Sequence, residues 1–206
     1  MSVVVGLAAL LLPRLLMAEE SARDLYNRLV RLDEKRVAQL QLGRADLVMF
    51  ETYPEMEKIK ERLSALDDSG DSDAAYYLGH VYAADCNRPA SDLPQIDRLM
   101  AASCRSSNVL YRRAAERGHY FAAERLAESY RDGRGIEQSG LVAVEWFYKA
   151  GRLALKHKNR DFALRMLEEM VKISPNHILT RDLGGQLYPK TLEKKKKSGA
   201  QKSQVM

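Results

Sequence analysis

The sequence predicts an all-α protein built from stacked helical pairs, and three observations support this fold class. Apolar residues recur at the three- and four-residue spacing of amphipathic helices along most of the chain. No stretch of useful length has the alternating pattern of a β-strand. The stretch from Ala122 to Ala150, AAERLAESYRDGRGIEQSGLVAVEWFYKA, has the pattern of one unit of a helical repeat. Such a unit buries its apolar face only against neighbouring units.

The N-terminal segment 1–18 is predicted to be a signal peptide. The apolar run from Val3 to Met17 suits the central region of a signal peptide and is too short to span a bilayer. Cleavage is expected after Ala18, and no stable membrane span is expected in the mature chain. No positive charge precedes the run, and a proline and an arginine interrupt it, so an N-terminal helix of a cytosolic protein is the alternative.

Residues 19–66 are predicted to form helices that cap the repeats. The first extends from Glu19 to about Leu42, and Gly43 is a natural break. A second covers about Ala45 to Thr52, and a third begins at Pro54, since proline is tolerated in the first turn of a helix. The buried stripe of the third helix is predicted to be Met56, Ile59, Leu63 and Leu66.

Residues 67–188 are predicted to hold the repeats. The run DDSGDSD, from Asp67 to Asp73, is a turn that supplies the N-cap of the next helix, which ends near Asp85. The segment 86–107 contains two prolines and many small polar residues. It is predicted to be an insertion in loop conformation with one short helix around Ile96 to Ala102. Helices then resume and continue in pairs to the end of the region.

The segment 189–206 is predicted to be a disordered basic tail. The whole chain has a formal net charge of +5, and the six lysines and one acid that follow Tyr188 account for all of it. The body of the protein is therefore near neutral, and nucleic-acid binding is not expected. The run from Lys194 to Lys197 could touch anionic lipid, nucleic acid or an acidic partner, but a solvated tail is favoured.

Two cysteines, Cys86 and Cys104, both lie within the 86–107 segment. In an oxidising compartment a bridge between them would close a flexible loop and stabilise the fold by roughly 3 kcal/mol in the chain-entropy model. Two unrelated buried thiols are the alternative. If the chain is exported, the confinement of both cysteines to one irregular segment favours the bridge.

Two stretches of the chain repeat one order of small, apolar and aromatic residues. The residues of this pattern are Ala74, Leu78, Gly79, Tyr82 and Gly118 in the first stretch, and Ala122, Leu126, Tyr130, Gly133, Gly135, Trp146 and Ala150 in the second. They resemble the Sel1-like repeats, relatives of the tetratricopeptide repeats, from about Pro54 to His177. The resemblance implies a right-handed α-solenoid of Sel1-like and tetratricopeptide-like helical hairpins.

This pattern has a physical basis. Alanine and glycine at helix crossings allow two helices to approach closely, and leucine and tyrosine fill the layer between helices. The Gly-x-Gly turn needs positive φ where the chain reverses. A third unit, in which Gly151, Ala163 and Pro175 are spaced twelve apart, is closer to a tetratricopeptide repeat.

Aromatic and arginine residues are predicted to form the partner-binding surface. In solenoids of this kind the first helices of the pairs line the concave face, and these side chains are the usual anchors of protein interfaces. Packing between helices is the alternative role for each of them. The predicted set is Tyr76, Tyr77, Arg112, Tyr120, Phe121, Arg125 and Arg131.

No catalytic, metal or cofactor site is predicted. The four histidines fall in different helices or turns without a paired ligand spacing such as HExxH, and are interpreted as solvated or capping residues. The GRG sequence at Gly133 to Gly135 lacks the flanking strand and the Lys-Ser/Thr of a phosphate loop. The sequence therefore does not indicate an enzyme.

The function that the sequence favours is a non-enzymatic interaction protein, a scaffold or adaptor that holds a segment of another protein in its groove. Sel1-like proteins generally act in this way in assembling complexes. The alternative is a periplasmic immunity or inhibitor protein against an exported toxin, a role that some exported Sel1-like proteins have. A periplasmic or secreted location is expected, with a cytoplasmic one as the alternative, and the oligomeric state stays open.

Overall fold

The computed structural model describes residues 20–86 and 94–189, and these are helical apart from short turns, which confirms the all-α prediction for them. The predicted signal peptide and, from residue 190 onward, the predicted tail lie outside the described residues. None of the helices in the two described ranges is long and apolar enough to cross a membrane. The helical elements are α1 (Ala22–Gln41), α2 (Ala45–Leu47), a π-helical segment (Val48–Thr52), α3 (Tyr53–Asp68), α4 (Ser72–Cys86), α5 (Pro94–Glu116), α6 (Tyr120–Asp132), α7 (Gly140–Lys156), α8 (Arg160–Ile173) and α9 (Ile178–Leu187).

The chain divides into two compact units, 1–59 and 60–206. In the first unit, the side chain of Ser21 caps α1 by accepting a hydrogen bond from the backbone N–H of Asp24. The π-helical segment contacts α1, where the hydroxyl of Thr52 donates to Oε1 of Gln39 over 2.8 Å. Both of these polar side chains are buried, so the hydrogen bond satisfies groups that water does not reach.

The second and third predicted helices are one helical run with a π-helical segment inside it. Pro54 explains the widened turn, because it has no N–H to donate and its ring clashes with the carbonyl four residues earlier. The predicted stripe is buried at Met56, Ile59 and Leu63, and Leu66 is half-buried.

In the second unit, helices pack mainly against their neighbours in sequence. The helix α4 packs on α5, α6 on α7, and α7 on α8, while α5 and α6 share a smaller contact. The helix α9 divides its contacts between α7 and α8. The described residues therefore confirm an arrangement of sequential helix pairs.

Small residues stand at the crossings of these helices, as the repeat pattern predicts. A Cβ atom on Gly79 would lie 2.7 Å from Cε1 of Tyr111, so α4 and α5 approach closely there. Tyr82 keeps 40% of its surface exposed, whereas Tyr130, at the matching position of the next pair, is partly buried. The fully buried small and apolar residues of the pattern are Ala74, Ala122, Leu126 and Ala150, and Leu78 is also buried.

The predicted turns have the expected backbone geometry. Gly118, Gly133 and Gly135 have φ values of +100°, +72° and +65°, a region that favours glycine. Gly133 ends α6 in the left-handed conformation. The DDSGDSD turn supplies the predicted N-cap, since Oδ1 of Asp71 accepts from the backbone N–H groups of Asp73 and Ala74 over 2.8 and 3.0 Å.

The predicted loop after Ala102 is wrong, because α5 is one helix of 23 residues. Its inner face carries polar residues that hide the apolar periodicity. Ser107 is buried with its hydroxyl donating to the carbonyl of Cys104 over 2.9 Å. Asn108 is buried with Nδ2 donating to the carbonyl of Arg134 over 2.7 Å. Hydrogen bonds to backbone carbonyls thus replace the apolar contacts by which an amphipathic helix is normally identified in a sequence.

The predicted disulfide between Cys86 and Cys104 is present, with the two Cα atoms 4.9 Å apart. It joins the last residue of α4 to the first half of α5. The residues between these helices, 87–93, lie outside the described ranges. The bond therefore fixes the C-terminal end of α4 against α5.

Candidate functional site

A row of aromatic rings connects the first helices of successive pairs in the second unit. Tyr76 of α4 stacks on His119 with ring centroids 4.1 Å apart, and it also lies 6.3 Å from Phe121 of α6. Phe121 in turn meets Phe162 of α8 edge to face at 5.1 Å, and Tyr120 at 4.3 Å. We call these five residues the aromatic row.

The aromatic row is partly open to solvent. Phe121 keeps 36% of its surface exposed, whereas Phe162 behind it is fully buried. Tyr77 lies beside the row, its ring centroid 5.3 Å from that of Tyr76. Four predicted binding residues, the three tyrosines and Phe121, thus come together on the α4 and α6 side, and an exposed ring on a buried support suits a binding surface.

Within the aromatic row, His119 also fixes the start of α6. Its Nδ1 accepts a hydrogen bond from the backbone N–H of Ala122 over 3.1 Å, which makes it the N-cap residue. The ring proton therefore belongs on Nε2, which lies 3.5 Å from Oδ1 of Asp73. Burial lowers the pKa of His119, and the carboxylate of Asp73 opposes this shift. A neutral, capping histidine thus supports the ring of Tyr76.

A polar pocket of about 240 Å³ lies next to the aromatic row, between α4, α5 and α6. Arg125 connects the two features, because its guanidinium interacts with Tyr76 and also lines the pocket. Its Nη1 donates to Oε2 of Glu128 over 2.9 Å. The lining residues are His80, Ala83 and Cys86 of α4, Ser107 and Tyr111 of α5, Arg125, Glu128 and Ser129 of α6, and Arg134 of the following turn.

The side chain of His80 lines this pocket and is uncharged at neutral pH. Burial lowers its pKa to about 4, and the positive charge of Arg125 acts in the same direction. Its ring meets that of Tyr76 edge to face at 4.5 Å and that of Tyr111 at 5.6 Å. At neutral pH the pocket lining therefore carries the charges of two guanidinium groups and one carboxylate.

Arg131 lies at the C-terminal end of α6 and bridges to α8. Its Nη1 is 2.9 Å from Oε2 of Glu169, and its Nε is 2.7 Å from Oδ1 of Asp132. The same Asp132 also pairs with Arg134 over 3.0 Å. Arg131 thus belongs to a network of alternating charges at the end of the first helices.

Arg112 is placed apart from the aromatic row. Its Nη2 donates to the hydroxyl of Tyr130 over 2.6 Å, and its guanidinium lies 5.3 Å from the ring centroid of Trp146. Lys149 lies over the same ring at 4.6 Å. Arg112 therefore contacts α6 and α7 through these two groups, and its part in partner binding stays a prediction.

Several residues of the site were not identified from the sequence. The interpretation of histidines as solvated or capping holds for His119 and for His177, which caps α9. It is wrong for His80, which is partly buried in the pocket wall. The helical spacing of four between Tyr76 and His80 could have indicated a shared face. The other residues missed were Glu128, Arg134 and Phe162.

Within the described ranges, no group of three histidine, cysteine, aspartate or glutamate side chains is placed to hold a metal ion. No protein-family model matches the chain, and no curated protein and no solved structure is significantly similar to it. The resemblance to the Sel1-like repeats therefore rests on the residues quoted for it.

Proposed function

We propose that the protein is a non-enzymatic interaction module that binds a segment of a partner protein on the face formed by α4, α6 and α8. The observation that carries this proposal is the aromatic row with the exposed ring of Phe121, next to a pocket lined by arginines. Aromatic and arginine side chains supply most of the binding energy at protein interfaces. The partly open rings of the row belong to α4 and α6, and the buried Phe162 of α8 supports them from behind.

The proposal includes a solenoid of the Sel1-like and tetratricopeptide-like kind for the second unit. Sequential helix pairs, buried alanines at the crossings and glycine turns with positive φ support it. In such a stack each pair contacts only its neighbours, and the first helices form one concave wall. The aromatic row would then line that wall.

A pull-down from the native host tests the binding surface. Phe121→Ala should fold normally yet lose the partner, because it removes the exposed ring of the aromatic row. Leu141→Ala is the matched control, since Leu141 is exposed on the second helix α7 and makes no part of the row. Retention of the partner by Phe121→Ala, or equal loss in both variants, would contradict the proposal. Thermal melting of each variant excludes unfolding as the cause of a loss.

A deletion of residues 194–206 separates the proposed surface from the lysine tail. If the helical face binds the partner, the deletion should change the affinity little. If the tail binds it, the deletion should abolish binding, and the intact chain should lose affinity steeply with salt. We expect the helical face to dominate, because its rings are held in place by packed helices and lose little entropy on binding.

We also propose that the protein works in an oxidising compartment, the periplasm or the exterior of the cell. The Cys86–Cys104 bond supports this, because disulfides persist in such compartments. Mass spectrometry of protein from the native host should find cleavage near Ala18 and no free thiol. An intact Met1 together with two free thiols would contradict both the location and the bond.

The second candidate function, an immunity or inhibitor protein against an exported toxin, needs the same compartment and is favoured by the same disulfide. It would use the same face to cover one toxin tightly, whereas a scaffold would hold a segment reversibly. The genome separates the two, because a neighbouring gene for an exported toxin or lipase favours the inhibitor. Purification with that toxin and loss of its activity on mixing would establish the role.

A further inference from the structure

The polar pocket beside the aromatic row has the composition of an anion subsite. We infer that it holds a carboxylate group of the partner segment between Arg125 and Arg134. The inference rests on the proposed function, since the carboxylate belongs to the protein segment bound on the same face.

The size of the pocket indicates what enters it. At about 240 Å³ it is smaller than the roughly 300 to 1,000 Å³ of pockets that hold cofactors or drug-sized molecules. It has room for one side chain or one chain end. A segment that lies along the helical face would therefore insert a single group here.

The charges of the lining favour an anion. Two guanidinium groups, of Arg125 and Arg134, face one lining carboxylate, that of Glu128. Arg125 reaches Glu128 over 2.9 Å, whereas Arg134 is 4.0 Å from it and pairs more closely with Asp132 at 3.0 Å. Because a guanidinium carries five N–H donors, these contacts do not saturate either arginine. Both keep more than two fifths of their side-chain surface exposed, 44% and 42%.

The backbone of the two arginines is held by neighbouring side chains. The carbonyl of Arg134 accepts from Nδ2 of the buried Asn108, and the carbonyl of Arg125 accepts from the hydroxyl of Ser129 over 3.1 Å. The disulfide cysteine Cys86 forms part of the pocket wall. A fixed backbone limits the entropy lost when the two side chains bind a ligand.

The pocket and the aromatic row share Arg125, and this determines the kind of segment that fits. Its guanidinium interacts with Tyr76 on one side and with the pocket on the other. A carboxylate between the arginines would therefore lie next to an apolar side chain on the exposed ring of Phe121. The ligand class is a protein segment that presents a carboxylate beside an apolar residue.

Nuclear magnetic resonance of the full chain, with its disulfide intact, tests the subsite. The Nε–H signals of Arg125 and Arg134 are followed while three probes are added: N-acetylglutamate N-methylamide, its glutamine analogue and N-acetylalanine. The glutamate probe presents a side-chain carboxylate, and N-acetylalanine presents a chain-end carboxylate. We expect saturable shifts with at least one carboxylate probe, and at least tenfold weaker binding of the glutamine analogue. The stronger carboxylate probe identifies which source the subsite prefers.

Two variants provide the controls. Arg134→Gln should weaken the carboxylate probe at least tenfold without changing the circular dichroism spectrum. Arg181→Gln, which removes the same charge from an exposed position on α9, should leave binding unchanged. The inference is overturned if the glutamine analogue binds equally, if Arg134→Gln binds like the wild type, or if Arg181→Gln weakens binding as much. These outcomes are independent of the pull-down. If the protein needs Phe121 to bind its partner but does not bind the carboxylate probes, the proposed function stands and the subsite is refuted.

Discussion

Gly135 lies directly against the backbone of Cys104. A Cβ atom at position 135 would be 2.7 Å from the carbonyl carbon of Cys104 and 2.9 Å from its oxygen, closer than such atoms approach in proteins. The turn that follows α6 therefore packs against Cys104, the residue that the disulfide joins to α4. The neighbouring Arg134 of the pocket owes its position to this contact.

Gly135→Ala should destabilise the protein by about 2 to 4 kcal/mol. The methyl group meets backbone that cannot move aside, and alanine is strained at a φ of +65°. Gly43→Ala is the matched control, because Gly43 has a φ of +70° and nothing within 4 Å of the added atom, so it carries only the backbone strain. Urea unfolding measures both losses. Equal losses in the two variants would show that the contact with Cys104 contributes nothing.

Gly79→Leu should destabilise the protein by about 1 to 3 kcal/mol or more through overpacking. The added side chain enters the space of the Tyr111 ring, whose Cε1 lies 2.7 Å from the position of a Cβ atom. Thermal unfolding monitored by circular dichroism measures the change. Gly185→Ala in α9, where the added atom meets nothing within 4 Å, should instead stabilise by about 0.5 to 1 kcal/mol. A neutral Gly79→Leu would refute the close crossing of α4 and α5.

Asp67→Asn should cost about 1.5 to 3 kcal/mol, the range for hydrogen bonds to charged groups. The Asp67 side chain is only 2% exposed, and it accepts from Nη1 of Arg113 and, over 2.6 Å, from Nη1 of Arg117. The variant keeps the shape and leaves two guanidinium groups without their carboxylate. Chemical denaturation provides the measurement, with the neighbouring exposed Asp68→Asn as the control. A similar effect of both variants would mean that the ion pairs add no stability.

The stability of the fold should fall as the pH is lowered from about 6.5 toward 4. The pKa of His80 is lowered to about 4 in the folded protein, against roughly 6.5 in an unfolded chain. The unfolded state therefore binds more protons in this window, and the contribution is complete above pH 6.5 and lost as the pH falls. His119, whose pKa is lowered by burial, acts in the same direction.

Unfolding curves at several pH values check this prediction. His80→Gln should flatten the pH dependence between pH 6.5 and 5, because it removes the group that must gain a proton. A His80→Gln variant with an unchanged slope would contradict the burial of His80.

Features that depend on local sequence could be predicted. The repeat helices, the N-cap at Asp71 and the turn at Gly133 follow from spacing, capping residues and positive φ, which act over a few residues. The disulfide could be proposed because both cysteines fall in one irregular segment. The helix α5 could not be predicted in full, because small polar residues precede Asn108 and the buried Ser107 occupies an inner position where an apolar residue is expected.

The pocket could not be predicted, because its lining residues come from separate elements and meet only when the helices pack. Three residues of the aromatic row, Tyr76, Tyr120 and Phe121, were in the predicted partner-binding set, because aromatic residues on the first helices stand out in the sequence. The pocket was missed because Arg134 comes from a turn, Glu128 from α6 and His80 from α4. The position of Arg112 apart from the aromatic row could not be predicted, because its contacts Tyr130 and Trp146 become its neighbours only after folding.

The packing of each helix on its neighbours in sequence bears on how the chain acquires its structure. Contacts between consecutive helices close short loops, so the entropy lost in forming them is small and folding of the second unit should be fast. In the proposed export with the N-terminal end first, Cys86 and Cys104 reach the oxidising compartment before Gly135. The α4–α5 pair can therefore form its covalent link before the turn that contacts it has arrived, so each completed pair gives the next one a surface on which to assemble.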